Sequence, residues 1–281
     1  MITQDALREI VNRVPELDAK RGTFTGPTWE DAAAIFDAVL AAGREGVVGV
    51  VAMLHDTDDG QDYKARYVLH GLAQYLGRPG KEAARAVFVE ALASQLGGER
   101  PKAVQGFVVR QLQVIGGKEA APALGKLLGD PDVHEFAAQA LVAIRSGAAE
   151  ELRKALPGLK GGPRLTALQA LGALADRDSA AELRAAAADA DLDARLAALW
   201  ALARIGDAES VDRVLKGADA APGWERIRAT SAALLLAERL IADGKKAEAF
   251  RVYRHLKDTR TDAAEAYVRD AAADALARAG G

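Results

Sequence analysis

Apolar residues recur at helical spacing along most of this chain. Four of the runs end, just before a turn, at Ile115, Ile144, Leu174 and Ile205, which lie 29, 30 and 31 residues apart. Self-similarity at a period of about thirty residues predicts helical hairpins stacked side by side rather than one closed core. The clearest unit reads as a first helix over residues 179–188, a turn at Asp189-Ala190-Asp191, a second helix over Leu192–Ile205 and a closing Gly206-Asp207. At about 100° per residue, Ala194, Ala198, Ala201, Leu202 and Ile205 share one arc of that second helix, the arc expected to face the core. Leu196 and Trp200 point away from it.

The same reading places the other elements. Thr3, with Asp5 behind it, suits the N-cap of a first helix that runs to the break at Pro15. After a loop over residues 20–27, a second helix starts near Thr28 and carries Trp29, Ile35, Phe36, Val39 and Leu40 to Gly43. Residues 1–44 read as an N-terminal helical cap, because an array of open-faced repeats must cover its end. Residues 45–281 read as the array, with room for about seven helix pairs. The β-branched run Val47-Val48-Gly49-Val50-Val51 continues into an amphipathic pattern and is expected to be helical. Gly161-Gly162-Pro163 and Gly129-Asp130-Pro131-Asp132 read as inter-helix turns, and Gly97-Gly98 and Gly116-Gly117 as C-caps. Residues 244–253 have a hint of tetratricopeptide character.

Composition supports helices and narrows the chemistry. Half of the residues are hydrophobic but only 5% are aromatic, and 63 alanines make up the difference. Alanine is the best helix former and lets helix axes approach closely. A net charge of −3 lacks the cationic excess that phosphate neutralisation demands, so nucleic acid is not the expected partner. Cysteine is absent, which removes disulfides, thiolate nucleophiles and zinc–sulfur sites. The start has no basic-then-apolar leader, and nowhere are eighteen consecutive residues apolar, so no membrane attachment is expected and the default compartment is the cytoplasm.

No catalytic motif stands out. Ser94, Ser146, Ser179, Ser210 and Ser231 occupy helical or turn positions outside any nucleophile elbow. The acidic turn from Asp56 to Asp62 superficially resembles a calcium loop, but Arg66 stands where the chelating glutamate belongs, so a helix-capping turn is expected. No cofactor and no metal are therefore expected, and no enzymatic activity.

Residues 189–207, DADLDARLAALWALARIGD, resemble the HEAT repeat in its short bacterial form, also called PBS-lyase-like. That unit has an aspartate in the inter-helix turn and an arginine six residues later, roles filled by Asp189 and Arg195. The resemblance is good over residues 118–207 and loose over 45–281. It implies an all-α fold, a right-handed α-solenoid of stacked hairpins of the HEAT or armadillo kind. In the family the aspartate and arginine tie neighbouring repeats together. Here His134 stands at the arginine position of one unit, Arg164 lacks an aspartate six residues before it, and Gln105 replaces arginine in a third. The ladder is thus expected to be incomplete. His134-Glu135 also resembles the His-Glu pairs of deoxyhypusine hydroxylase, a HEAT-repeat enzyme with a di-iron centre, but that family needs several pairs and this chain has one.

Within such a solenoid the second helices line the concave side. Register then matches Trp200 with Gln169, Gln139, Arg110 and Gly71, and Leu196 with Leu165, Glu135, Gly106 and Tyr67. The expected partner-binding residues are Tyr67, His70, Arg110, Glu135, Gln139, Gln169, Leu196 and Trp200, since amides, guanidinium and indole suit an extended partner. The expected function is a non-catalytic scaffold that binds a protein partner or an adjacent domain. The alternative implied by the family is a HEAT-scaffold enzyme or subunit, akin to chromophore lyases or DNA glycosylases.

Overall fold

A computed structural model describes residues 2–16, 26–56 and 60–280. The described residues form sixteen α-helices and no strand. They divide into two compact units, residues 1–159 and 160–281.

The first unit contains α1 (Gln4–Val11), α2 (Trp29–Ala41), α3 (Gly43–Val51), α4 (Tyr63–Tyr75), α5 (Glu82–Ala93), α6 (Lys102–Ile115), α7 (Ala121–Gly125), α8 (His134–Ile144) and α9 (Ala148–Ala155). Helices α2, α4, α6 and α8 pack in succession as one layer. The second layer has α1 on α3, α3 on α5 and α7 on α9. The second unit contains α10 (Gly161–Leu174), α11 (Ala180–Ala186), α12 (Leu192–Ile205), α13 (Val211–Ala218), α14 (Trp224–Ala242), α15 (Lys246–Thr259) and α16 (Ala266–Gly280). Here α10, α12 and α14 make one layer and α11, α13 and α15 cover it, with α16 lying on α15. Each unit is thus a two-layer stack of helical hairpins, as the thirty-residue period requires.

Local chemistry explains the boundaries. Thr3, Thr28 and Asp191 accept the backbone N–H groups of Ala6, Asp31 and Ala194, each satisfying an otherwise orphaned donor of a first turn. The four periodic apolar residues are the last residues of α6, α8, α10 and α12. Gly206 ends α12 with φ 70°, a left-handed conformation that glycine adopts without strain. The valine run is helical in α3, as expected.

Three boundaries differ from expectation. Helix α1 stops at Val11, short of Pro15, and Val14 beyond it is fully buried. Gly161-Gly162-Pro163 is the first turn of α10 rather than a turn before it, because a proline there gives up an N–H that has no intrahelical partner. Gly97 and Gly98 lie past the C-cap Ser94 of α5, in the loop to α6. Of the expected loop over residues 20–27, residues 20–25 fall outside the described residues, as do residues 57–59 of the acidic turn.

Cross-repeat ion pairs are more complete than the six-residue spacing suggested. Lys102 pairs with Asp130, and Arg164 with Asp189 at 3.0 Å. Arg195 reaches Glu225 at 3.1 Å, and Arg226 grips Glu265 through Nε at 2.7 Å and a second nitrogen at 2.5 Å. The cation at the start of one second helix therefore meets an acid of the following repeat, 25 to 39 residues on. Gln105, fully buried, accepts the Gly97 N–H and donates to the Arg100 carbonyl, closing the turn before its own helix. His134 is buried, and its ring nitrogens have no partner among the protein groups.

These pairs make acid sensitivity predictable. The Lys102 ammonium holds Asp130 below the usual carboxylate range; the Asp191 amide and then Arg164 do the same for Asp189, and Arg226 does it for Glu265. The unfolded chain takes up protons at higher pH than these folded carboxylates. Their contribution is therefore fully present above the ordinary carboxylate range and is lost as pH falls through the depressed folded values. Melting followed by circular dichroism should be flat from about pH 5.5 to 8 and drop below about pH 4. The double variant Arg164→Gln/Arg226→Gln should show a shallower acid drop; an unchanged slope would place the acid sensitivity elsewhere.

Candidate partner-binding surface

The second-helix layer of the first unit carries five of the eight residues singled out by register. On α4, Tyr67 is half-buried and stacks on Phe36 with ring centroids 6.4 Å apart; burial pushes its phenol pKa upward. His70, exposed, is tied to α6 by Nδ1 at 3.0 Å from Gln111 Oε1, while its Nε2 is 2.8 Å from Gln74 on its own helix. Because the Gln111 amide donates its N–H to the Phe107 carbonyl, its oxygen accepts and His70 Nδ1 carries the proton. Arg110 on α6 is exposed and lays its guanidinium 4.9 Å from the Phe136 ring centroid on α8. Glu135 and Gln139 on α8 are exposed. The structure therefore links α4 to α6 to α8 through His70, Gln111, Arg110 and Phe136.

In the second unit the three remaining residues fare differently. Gln169 on α10 is exposed. Leu196 is only 7% exposed and presents almost no surface. The single-arc picture of α12 ignored its neighbours within the layer: α12 packs on α10 and α14 as well as on α11, and it buries Leu196, Ala197, Leu199 and Ala203 in addition to the expected arc. Trp200 is half-buried and lies in a notch left by Gly172 of α10, where a Cβ would come within 2.5 Å of Trp200 Cζ3. Arg204 covers the indole, 5.8 Å from its centroid, and bonds the Gly172 carbonyl. Trp200 is thus largely a packing residue joining α10 to α12.

The large exposed side chains of this unit are others. Trp224 and Ile227, at the start of α14, are 58% and 55% exposed, and Tyr267, at the start of α16, is 68% exposed. Arg228 stands over Trp224 at 5.3 Å. For Ile227 the sequence carried a signal, since it lies 31 residues after Leu196 in the same register series. The longer Pro222-Gly223 turn interrupts the series between them.

Among the described residues no group of three His, Asp or Glu side chains could hold a metal ion, and no helix is long and apolar enough to cross a membrane. In the acidic turn, Asp62 accepts the His55 N–H at 2.9 Å and pairs with Arg66 at 2.7 Å. Ser94, Ser179 and Ser231 donate their hydroxyls to nearby backbone carbonyls.

Stacked hairpins with acid–base pairs between successive repeats define an α-helical repeat protein. Residues 161–235 match the family described as HEAT repeats. Among solved structures it is similar to the crystal structure of an engineered protein, with 22% identity, a TM-score of 0.46, and coverage of 99% of this chain and 79% of that one. No curated protein matches the chain.

Proposed function

We propose that this chain is a non-catalytic scaffold that binds a segment of a partner protein, or a neighbouring domain, through the exposed faces of its second helices. The observation that carries this reading is the outward placement of Trp224 and Ile227 on α14 and Tyr267 on α16. Large apolar side chains cost free energy in water, and Trp and Tyr are the residue types that dominate protein interfaces. In the first unit, the exposed His70, Arg110, Glu135 and Gln139 are polar groups able to hydrogen-bond a partner. A net charge of −3 supports a protein partner over nucleic acid.

The test is affinity capture from lysate of the source cells with the wild-type chain and with Trp224→Ala/Ile227→Ala, followed by mass spectrometry. Both side chains are more than half exposed, so truncation should move stability by no more than about 0.5 kcal/mol and leave the helical circular dichroism intact. A partner held by these anchors should lose about 2 kcal/mol or more, roughly thirtyfold in affinity. Retention of the same proteins at the same yield by the double variant would discard this face.

A further inference from the structure

Helices α14 and α16 both rest on α15 but scarcely touch one another, unlike α10, α12 and α14, which pack in direct succession. The gap between them is a cavity of about 430 Å³, open to solvent. Its walls are apolar: Leu234 and Ile241 from α14 face Ala271, Ala275 and Ala279 from α16. The alanines recur every four residues and keep that wall flat. The volume is within the range of small-molecule sites, roughly 300–1,000 Å³.

Three polar groups converge on this apolar space. Tyr253 of α15 lines it; the residue is only 4% exposed, yet no protein group hydrogen-bonds its hydroxyl. The hydroxyl is the polar end of an otherwise buried ring and is free to donate to or accept from a molecule in the groove in place of water. Glu238 stands on the α14 wall and Arg278 on the α16 wall, both exposed. Neither makes an ion pair with the other or with any other described residue; the Arg278 Nε contact is to its own helix, at the Asp274 carbonyl. Both charges act on the Tyr253 phenol, whose pKa is raised by burial and further by Glu238, and lowered by Arg278.

We propose that the groove between α14 and α16 binds a small zwitterion with an apolar body, of the class of aliphatic α-amino acids. Its ammonium group meets Glu238, its carboxylate meets Arg278, the Tyr253 hydroxyl donates to or accepts from the ligand, and the side chain lies against Leu234, Ile241 and the alanine wall. Charge of both signs on facing walls disfavours a purely anionic or purely cationic ligand, because one wall would always be left with a like charge.

The proposal is independent of the scaffold reading, and Trp224 is not among the groove residues. Isothermal titration and amide chemical-shift mapping of the full chain with L-leucine test it, with L-leucinamide and 4-methylpentanoate as ligands lacking one charge each. L-leucine should bind with a dissociation constant of about 1 mM or below and perturb amides of α14, α15 and α16. Each single-charge ligand should bind about tenfold more weakly, as should L-leucine to Glu238→Gln, Arg278→Gln and Tyr253→Phe. Because Glu238 and Arg278 are exposed, their variants should keep the wild-type melting temperature. The exchange variant Glu238→Arg/Arg278→Glu should recover binding relative to the single variants. No binding of L-leucine at about ten times that concentration, equal binding of all three ligands, or wild-type affinity in Glu238→Gln and Arg278→Gln would overturn the assignment.

Discussion

Replacing Arg260 by alanine is expected to destabilise the second unit by about 3–5 kcal/mol, the cost of unmet buried hydrogen-bond groups together with the cavity left by a long buried side chain. Arg260 is 0% exposed, and its guanidinium donates to the Ala218 carbonyl at 2.6 Å, the Thr259 hydroxyl at 2.8 Å and the Thr230 hydroxyl at 3.3 Å. Asp219 and Glu265 each lie 3.5 Å away. One side chain thereby ties the C-terminal end of α13 to α14, α15 and the approach to α16. Truncation leaves the Ala218 carbonyl and the Thr230 hydroxyl without this donor, in a place where each unmet group costs about 1–3 kcal/mol. It also opens a void the size of a long side chain. Lysine at 260 should recover part of the loss, since an ammonium replaces the charge but cannot address carbonyl, hydroxyls and carboxylates in one plane. Arg269→Ala is the control: Arg269 is paired only with its exposed neighbour Asp270, and its loss should fall within about 0.5 kcal/mol. Chemical denaturation followed by circular dichroism reads all three. An Arg260→Ala loss no larger than that of Arg269→Ala would show that the buried network contributes nothing to stability.

What the sequence made legible follows from the range over which each force acts. Helix ends depend on a few neighbouring residues, so Ile115, Ile144, Leu174 and Ile205 were readable as the ends of α6, α8, α10 and α12, and α12 was readable from its first residue to its last. Side-chain exposure depends on neighbours in two directions. Periodicity reports the contact between the two layers, while lateral contact within a layer leaves no periodic trace, and so Leu196 is buried where it was expected to be free. The ion-pair ladder escaped for a related reason. Its spacing was sought within a repeat, but the partners sit in the next one, and in two cases the acid is glutamate rather than aspartate. Ile227 shares the register of Leu196, yet one is exposed and the other buried, because the outcome depends on which neighbours each helix meets and not on phase alone.

Glycine-to-alanine changes at three places along the second helices should give opposite signs, and the contrast isolates packing from helix propensity. All three glycines are inside helices, where alanine is worth about 1 kcal/mol in propensity. At Gly106 a Cβ would meet Phe136 at 3.6 Å, an ordinary contact, so Gly106→Ala should be neutral or stabilising by up to about 1 kcal/mol. At Gly172 the Cβ would lie 2.5 Å from Trp200 Cζ3 and 2.9 Å from the Ala201 Cβ, and at Gly71 it would lie 2.2 Å from Phe36 Cζ. Phe36 is 1% exposed and has nowhere to move; Trp200 is held on its other side by Arg204. Overpacking of this kind costs about 1–3 kcal/mol and exceeds the propensity gain, so Gly172→Ala and Gly71→Ala should both be destabilising. The double variant Gly172→Ala/Trp200→Leu should be less destabilised than the sum of its parts, because the shorter side chain vacates the notch the methyl group needs. Urea titrations of the three glycine variants, Trp200→Leu and the double variant decide it. Strict additivity in the double variant, or stabilisation by alanine at position 172, would mean that the indole does not occupy that notch, and would return Trp200 to the solvent-facing role that its register alone suggested.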